Sequence, residues 1–132
     1  MASIFSKIIA GEIPCYKVYE DDLTLAFLDI NPVTRGHVLV IPKQETDYLF
    51  DLEDRLYAHL FPVVKKVSKA IESVVKCDRI SVAVVGLEVP HAHVHLIPIT
   101  EISDFSFSNP KAELSPEEFV SLASQISEKI KD

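Results

Sequence analysis

The segment PHAHVHLIPI, residues 90–99, places His91, His93 and His95 at every second position, with Ala92, Val94 and Leu96 between them. Successive side chains of a strand point to opposite faces. The spacing therefore predicts a strand over 91–98, with three imidazoles on one face and aliphatic groups on the other. Neighbouring imidazoles of the row should start about 6.6–7 Å apart. Such a strand must have a hydrophobic core on one side and a site on the other. A merely solvated face gives no reason for histidine in strict alternation, so the row reads as functional.

The rest of the chain supplies partners for this strand. Ser3 suits the cap of a short helix over 4–10, with Gly11 at its end and Pro14 beyond. Strands are predicted over 15–21, 23–29, 37–42 and 79–87 from their β-branched and aromatic content and bounding turn residues. Between Asp51 and Lys76, apolar residues recur at intervals of three, four and seven, which predicts a long helix that Pro62 should kink or split. Ser115-Pro116-Glu117-Glu118 is a capping box with proline at the first helical position, and it opens an amphipathic helix over 117–130. This order predicts an α+β fold, an antiparallel five-stranded sheet with helices packed on it. The 132 residues read as one domain, 1–132, whose last part is a loop and helix over 100–132.

Charge narrows the partners. A formal net charge of −7 repels polyanions, so long nucleic acid is not expected, whereas a small nucleotide depends only on its local site. No apolar run approaches the roughly 20 residues of a membrane span, and the first fifteen residues lack a signal-peptide core. Cys15 and Cys77 form neither a CxxC pair nor a disulfide framework. A cytoplasmic protein without a membrane partner is the expectation.

Two chemistries suit the histidine row. A His-x-His pair on a strand can bind zinc with ligands from elsewhere. Against this, His91 and His95 should lie about 13 Å apart along a straight strand, too far to share one ion. The second chemistry is covalent phosphoryl transfer. Neutral imidazole is a nucleophile near pH 7, and flanking imidazoles can orient it and hold phosphate oxygens.

The segment HAHVHLI resembles the signature of the histidine triad (HIT) superfamily, in which histidine alternates with apolar residues. The resemblance extends to SIFSKIIAGEIP (3–14), AFLDINPVTRGHVLVIPK (26–43) and GLEVPHAHVHLIP (86–98), which look like successive blocks of its Hint-like branch. It covers most of residues 1–98. It implies an α+β homodimer that cleaves at the α-phosphorus of a purine nucleotide, of phosphoramidate or dinucleotide type, without a cofactor. His93 matches the nucleophile that forms a nucleotidyl-histidine. His91 and His95 match its orienting and phosphate-binding neighbours, and His37 the upstream histidine packed against them. Asp29 matches the acceptor of the ribose hydroxyls, a role that suits a carboxylate facing two O–H donors. Phe5, Ile8, Phe27 and Ile30 match the apolar lining of the base pocket, with plain core as the alternative reading of each.

The chain departs from the family at three points. Ser3 and Ser6 stand where many bacterial relatives have a zinc-binding Cys-x-x-Cys, so no metal is expected. Gly86-Leu87-Glu88-Val89 replaces a Gly-Gln-Ser/Thr-Val approach, which puts a carboxylate, Glu88, where a hydroxyl usually meets phosphate and leaves Val89 beside it. The family's phosphate-region asparagine has no counterpart; counting back reaches Ile80 or Ser81. These changes keep open a nucleotide-binding or regulatory module with little turnover.

Overall fold

A computed structural model describes residues 2–130. The first helix, α1 (Ile4–Ile9), begins where the Ser3 hydroxyl accepts the Ser6 amide, and Gly11 at φ 81° lies just past its end. The antiparallel pair β1 (Lys17–Glu20) and β2 (Thr24–Leu28) turns at Asp21, whose carboxylate accepts the amides of Leu23 and Thr24. Strand β3 (Val38–Pro42) follows a loop, and the long helix α2 (Asp54–Val74) returns across the sheet. Strand β4 (Arg79–Ala83), strand β5 (Val94–Ile99) and helix α3 (Pro116–Lys129) complete the chain. Every neighbouring pair is antiparallel, and the five strands lie in the order β1-β2-β3-β5-β4. The expected α+β sheet is therefore present.

Three expectations need correction. Of the two outcomes expected at Pro62, a kink or a split, the split does not occur: helix α2 is one continuous element. Pro62 and Ala58, whose carbonyl loses its partner, are both exposed, so water can take that carbonyl while the opposite face stays packed. Strand β4 ends at Ala83 instead of 87, and Gly86 at φ 71° turns the chain away. Strand β5 begins at Val94 instead of His91. Continuing its register with β3 would set Ala92 opposite Pro42, which has no N–H to donate. The Ala92 amide instead donates to the Thr46 carbonyl at 2.7 Å.

The two faces of the sheet are covered unequally. Ala26, Leu28, Val38, Val40, Val94 and Leu96 pack under α2 and α3 with Leu60, Val67, Ile71, Leu122 and Ile126. Each fully buried aliphatic side chain contributes about 1.5–3 kcal/mol, so this layer holds the fold. The other face carries only a small cluster of Phe5, Leu25, Phe27, Leu39 and Ile41, capped by the six residues of α1. That thinner layer leaves room for a site. Among the described residues, no helix is long and apolar enough to cross a membrane.

Gly36 fixes the approach to β3. It sits at φ 95°, where an added Cβ would lie 2.9 Å from Val75 Cγ2 and 3.1 Å from Pro98 Cγ. Gly11 is also left-handed, but its surroundings are open. Gly36→Ala should therefore lose more stability than Gly11→Ala, about 2 kcal/mol or more against about 1. Urea denaturation of the two variants checks this, and equal losses would show that the close packing at Gly36 has no energetic weight.

Candidate active site

Register places one row of side chains across the thin face: Phe27 opposite Leu39, Leu39 opposite His95, and His95 opposite Ala83. His95 is the only triad histidine inside a strand, yet the alternation continues beyond it. Ala92, Val94 and Leu96 lie in the large core, while the rings of His93 and His95 meet on the other side with centroids 5.0 Å apart. Phe5 of α1 sets its edge against His93 at 5.0 Å and His91 at 5.9 Å. The three imidazoles thus share one face as expected, although hydrogen bonds outside the ladder hold the first two.

Those bonds settle the protons. A peptide N–H can only donate and a carbonyl can only accept. The Val33 amide donates to His37 Nδ1 at 3.0 Å, so neutral His37 has its proton on Nε2. That nitrogen lies 3.0 Å from His95 Nδ1, which must accept, and the His95 proton is left on Nε2. His93 Nδ1 donates to the His91 carbonyl at 2.7 Å, which leaves a lone pair on His93 Nε2. His91 Nε2 donates to the Pro42 carbonyl at 2.8 Å, and its Nδ1 accepts the Ser3 hydroxyl at 3.1 Å. Both nitrogens of His91 are therefore engaged by the protein. Of its two expected roles, orienting is the one its ring is free to perform.

Burial keeps the supporting rings neutral. Desolvation lowers the pKa of His37 to about 3, with repulsion from His95, Lys111 and His93 added. Desolvation also lowers His95 to about 4, with His93 adding to it. His91 is lowered by burial, against the favourable Pro42 carbonyl. Asp29 accepts the Asn31 amide at 2.8 Å, and its other oxygen lies 3.6 Å from His37 Nε2. Burial raises its carboxyl pKa, and the negative charge of Glu88 adds to this while His93 and Lys111 oppose it.

The expected apolar lining divides in two. Phe5 and Phe27 are buried and meet edge to face at 5.7 Å, with Ile8 and Val89 packed on their cluster. Phe5 and Phe27 form the floor of the site. Ile30 is 66% exposed and lies outside that cluster, next to Asp29 in the chain. Glu88 is also exposed, and the Val89 carbonyl holds the His91 amide at 2.8 Å.

Sequence reasoning leaves Phe105 and Phe107 in a loop without a role. The Phe107 ring lies 4.9 Å from that of His95, and the Lys111 ammonium donates to the Phe107 carbonyl. The Ala112 amide, bonded to the Pro32 carbonyl at 2.9 Å, fastens this strap to the loop after Asp29. Two phenylalanines one residue apart in a loop are the available signal. Ser3 and Glu45 escape notice as neighbours of His91, because nothing in the sequence brings residue 45 to residue 3.

Neither candidate metal cluster suits an ion. Ligand atoms of Asp29, His37 and His95 come within 4.8 Å of one another. His37 Nδ1 is already an acceptor, so its Nε2 bears a proton and has no lone pair to offer. Near α1, Ser3 and Ser6 present hydroxyls instead of thiolates, and Ser3 already donates to the one nearby imidazole nitrogen.

A family model described as HIT domain matches residues 10–102, which include His37 and the whole triad. The chain belongs to the HIT family. It is 43% identical to an uncharacterised HIT-like protein of Borreliella burgdorferi, over 94% of this chain and 95% of that protein. It is 41% identical to the adenosine 5'-monophosphoramidase hnt1 of Schizosaccharomyces pombe, over 99% of this chain and all of that one. Among solved structures, a HIT-like protein of Bartonella henselae superposes with a TM-score of 0.83 at 33% identity, covering 96% of this chain and 95% of that one. The Hint-like resemblance and the HIT fold both stand on these matches.

The depressed imidazoles predict a pH dependence of stability. Between pH 4 and 6.5 the unfolded chain binds protons at residues 37 and 95 that the folded chain refuses. Stability should therefore rise with pH across that window and fall as pH drops from 6.5 toward 4. Urea denaturation from pH 4.5 to 7 should show this slope, shallower in His37→Gln. A flat profile would mean that both rings take up protons in the fold as readily as in the unfolded chain.

Proposed function

We propose that this HIT chain is a nucleotide hydrolase or transferase acting at the α-phosphorus of a purine nucleotide through a covalent nucleotidyl-histidine on His93. The observation that supports it best is the pairing of opposite tautomers on one face. His93 Nε2 has a lone pair, and His95 Nε2 beside it has a proton to donate. A nucleophile and an oxyanion donor are thus preorganised as neighbours.

In this reading Nε2 of His93 attacks the α-phosphorus and the bond to the leaving group breaks. The leaving group takes a proton from solvent, and the His93 ring becomes an N-phosphorylated imidazolium. Its Nδ1–H bond to the His91 carbonyl strengthens as that charge grows. The His95 proton meets a phosphoryl oxygen, and His37 holds His95 in the tautomer that allows it. Water then attacks phosphorus and releases a proton to solvent, the N–P bond breaks, nucleoside monophosphate leaves and neutral His93 returns. Asp29 takes the ribose hydroxyls, with Ile30 at the rim and Phe5, Phe27, Ile8 and Val89 behind the base.

Phosphoramidates are the favoured substrates for two reasons. The fission-yeast relative is named a phosphoramidase. Glu88 also brings negative charge to the Asp29 side, and a departing amine can be cationic where a polyphosphate cannot. We also propose a homodimer through the edge strand β4 and the segment that follows it, where Val82 and then Val84, Val85 and Leu87 are exposed. Light scattering should give about twice the 14.8 kDa of one chain. A monomeric mass would remove that claim.

His93→Ala should abolish hydrolysis of adenosine phosphoramidate with the fold retained, because the ring faces the thin layer and not the main core. A quenched reaction of the unaltered protein should hold nucleotide covalently on His93. Retention of more than about a tenth of kcat in His93→Ala, no more than about 1.4 kcal/mol of lost transition-state stabilisation, would exclude it as nucleophile. Nucleotide binding without adduct or turnover would assign a binding module instead.

A further inference from the structure

An exposed carboxylate on the loop after β3 is linked to the triad through Ser3 and Ser6, each of which bonds it. Glu45 Oε1 accepts the Ser3 amide at 2.8 Å and the Ser6 hydroxyl at 2.5 Å. The Ser3 oxygen accepts the Ser6 amide at 3.0 Å and donates its own proton to His91 Nδ1 at 3.1 Å. Ser3 thus donates at both ends, its amide to Glu45 and its hydroxyl to His91, with the Ser6 oxygen a more distant 3.4 Å from that hydroxyl. The link ends on the residue whose carbonyl holds the proton of His93 Nδ1.

Glu45 also fixes the aromatic contact to the same ring. Helix α1 has only six residues, too short to hold its position by its own hydrogen bonds. The Ser3 cap and Glu45 tie down its first turn, and Phe5 in that turn touches both His91 and His93. A shift of this turn would move Ser3 off His91 and Phe5 off His93 together.

We propose that Glu45 is a positioning residue for the nucleophile, acting through Ser3 and His91 on one side and through Phe5 on the other. It touches no reacting atom. Its effect is to hold the His91 backbone and the His93 ring in the attack geometry. The proposal rests on His93 being the nucleophile. The Ser3 amide, followed by the Ser6 hydroxyl, pulls the Glu45 pKa down to about 2, so the acceptor is ionised throughout the working range. Both bonds go to the same oxygen, Oε1. A glutamine amide offers that oxygen without the charge.

Four variants test this with adenosine phosphoramidate as substrate: Glu45→Ala, Glu45→Gln, Ser3→Ala and His93→Ala. Glu45→Ala and Ser3→Ala should each lower kcat about ten-fold with KM changed by less than about two-fold, because alignment is lost and binding is not. Glu45→Gln should keep roughly half of kcat or more, since the acceptor remains. Glu45 is exposed, so its removal leaves no cavity, and thermal unfolding should confirm a folded variant at the assay temperature. Unaltered kcat in Glu45→Ala beside an inactive His93→Ala would overturn the positioning role alone. A Glu45→Gln variant as slow as Glu45→Ala would overturn the acceptor geometry on which it depends. A slow Glu45→Ala that regains full kcat on cooling, in step with its folded fraction, would assign Glu45 to stability and overturn the proposal. An active His93→Ala would instead overturn the reading of the site itself.

Discussion

Backbone groups that cannot change their hydrogen-bonding sense decide what the histidines of this chain can do. Imidazole is ambiguous, because either nitrogen can hold the proton. The Val33 amide, the His91 carbonyl and the Pro42 carbonyl remove that ambiguity at His37, His93 and His91. His95 then inherits its tautomer from His37. Burial reinforces the outcome, since it lowers the pKa of His37, His91 and His95 and so disfavours the charged forms that would undo it.

The fold serves this arrangement through the inequality of its two faces. Helices α2 and α3 supply most of the buried apolar surface on one side, so the other need not be sealed. There α1, a small aromatic cluster and the strap bearing Phe107 are enough. Gly36 admits a close turn between α2 and β5 and delivers His37 to the start of β3. His37 and His91 can then be buried with both ring nitrogens hydrogen-bonded, which is the condition for burying them at modest cost, while His93 and His95 each keep Nε2 open.

Much of the sheet is legible in the sequence because its residues alternate in the simplest way. His91, His93 and His95 against Ala92, Val94 and Leu96 define one face and its opposite even where the hydrogen-bonded ladder stops short. The boundaries at Val94 and Ala83 are not legible. They depend on Pro42 as a partner across the sheet and on a left-handed Gly86. Pro62 misleads because local propensity yields when the affected carbonyl faces solvent. The resemblance places Asp29 and His37 near the triad. It gives no hint of Glu45 or Phe107, whose positions depend on packing between segments far apart in the chain. His91 is similar: its place in the row is written in the sequence, but the engagement of both its nitrogens is a tertiary fact.

The central claim is the fixed pattern of tautomers, and it can be read in solution. Long-range nitrogen–proton correlation on imidazole-labelled protein at pH 7 distinguishes protonated from bare ring nitrogens at each histidine. The expected pattern is a protonated Nδ1 and bare Nε2 at His93, with protonated Nε2 and bare Nδ1 at His37 and His95. A proton on Nε2 of His93, or on Nδ1 of His95, would contradict it, because the nucleophilic lone pair or the phosphate donor would then be missing.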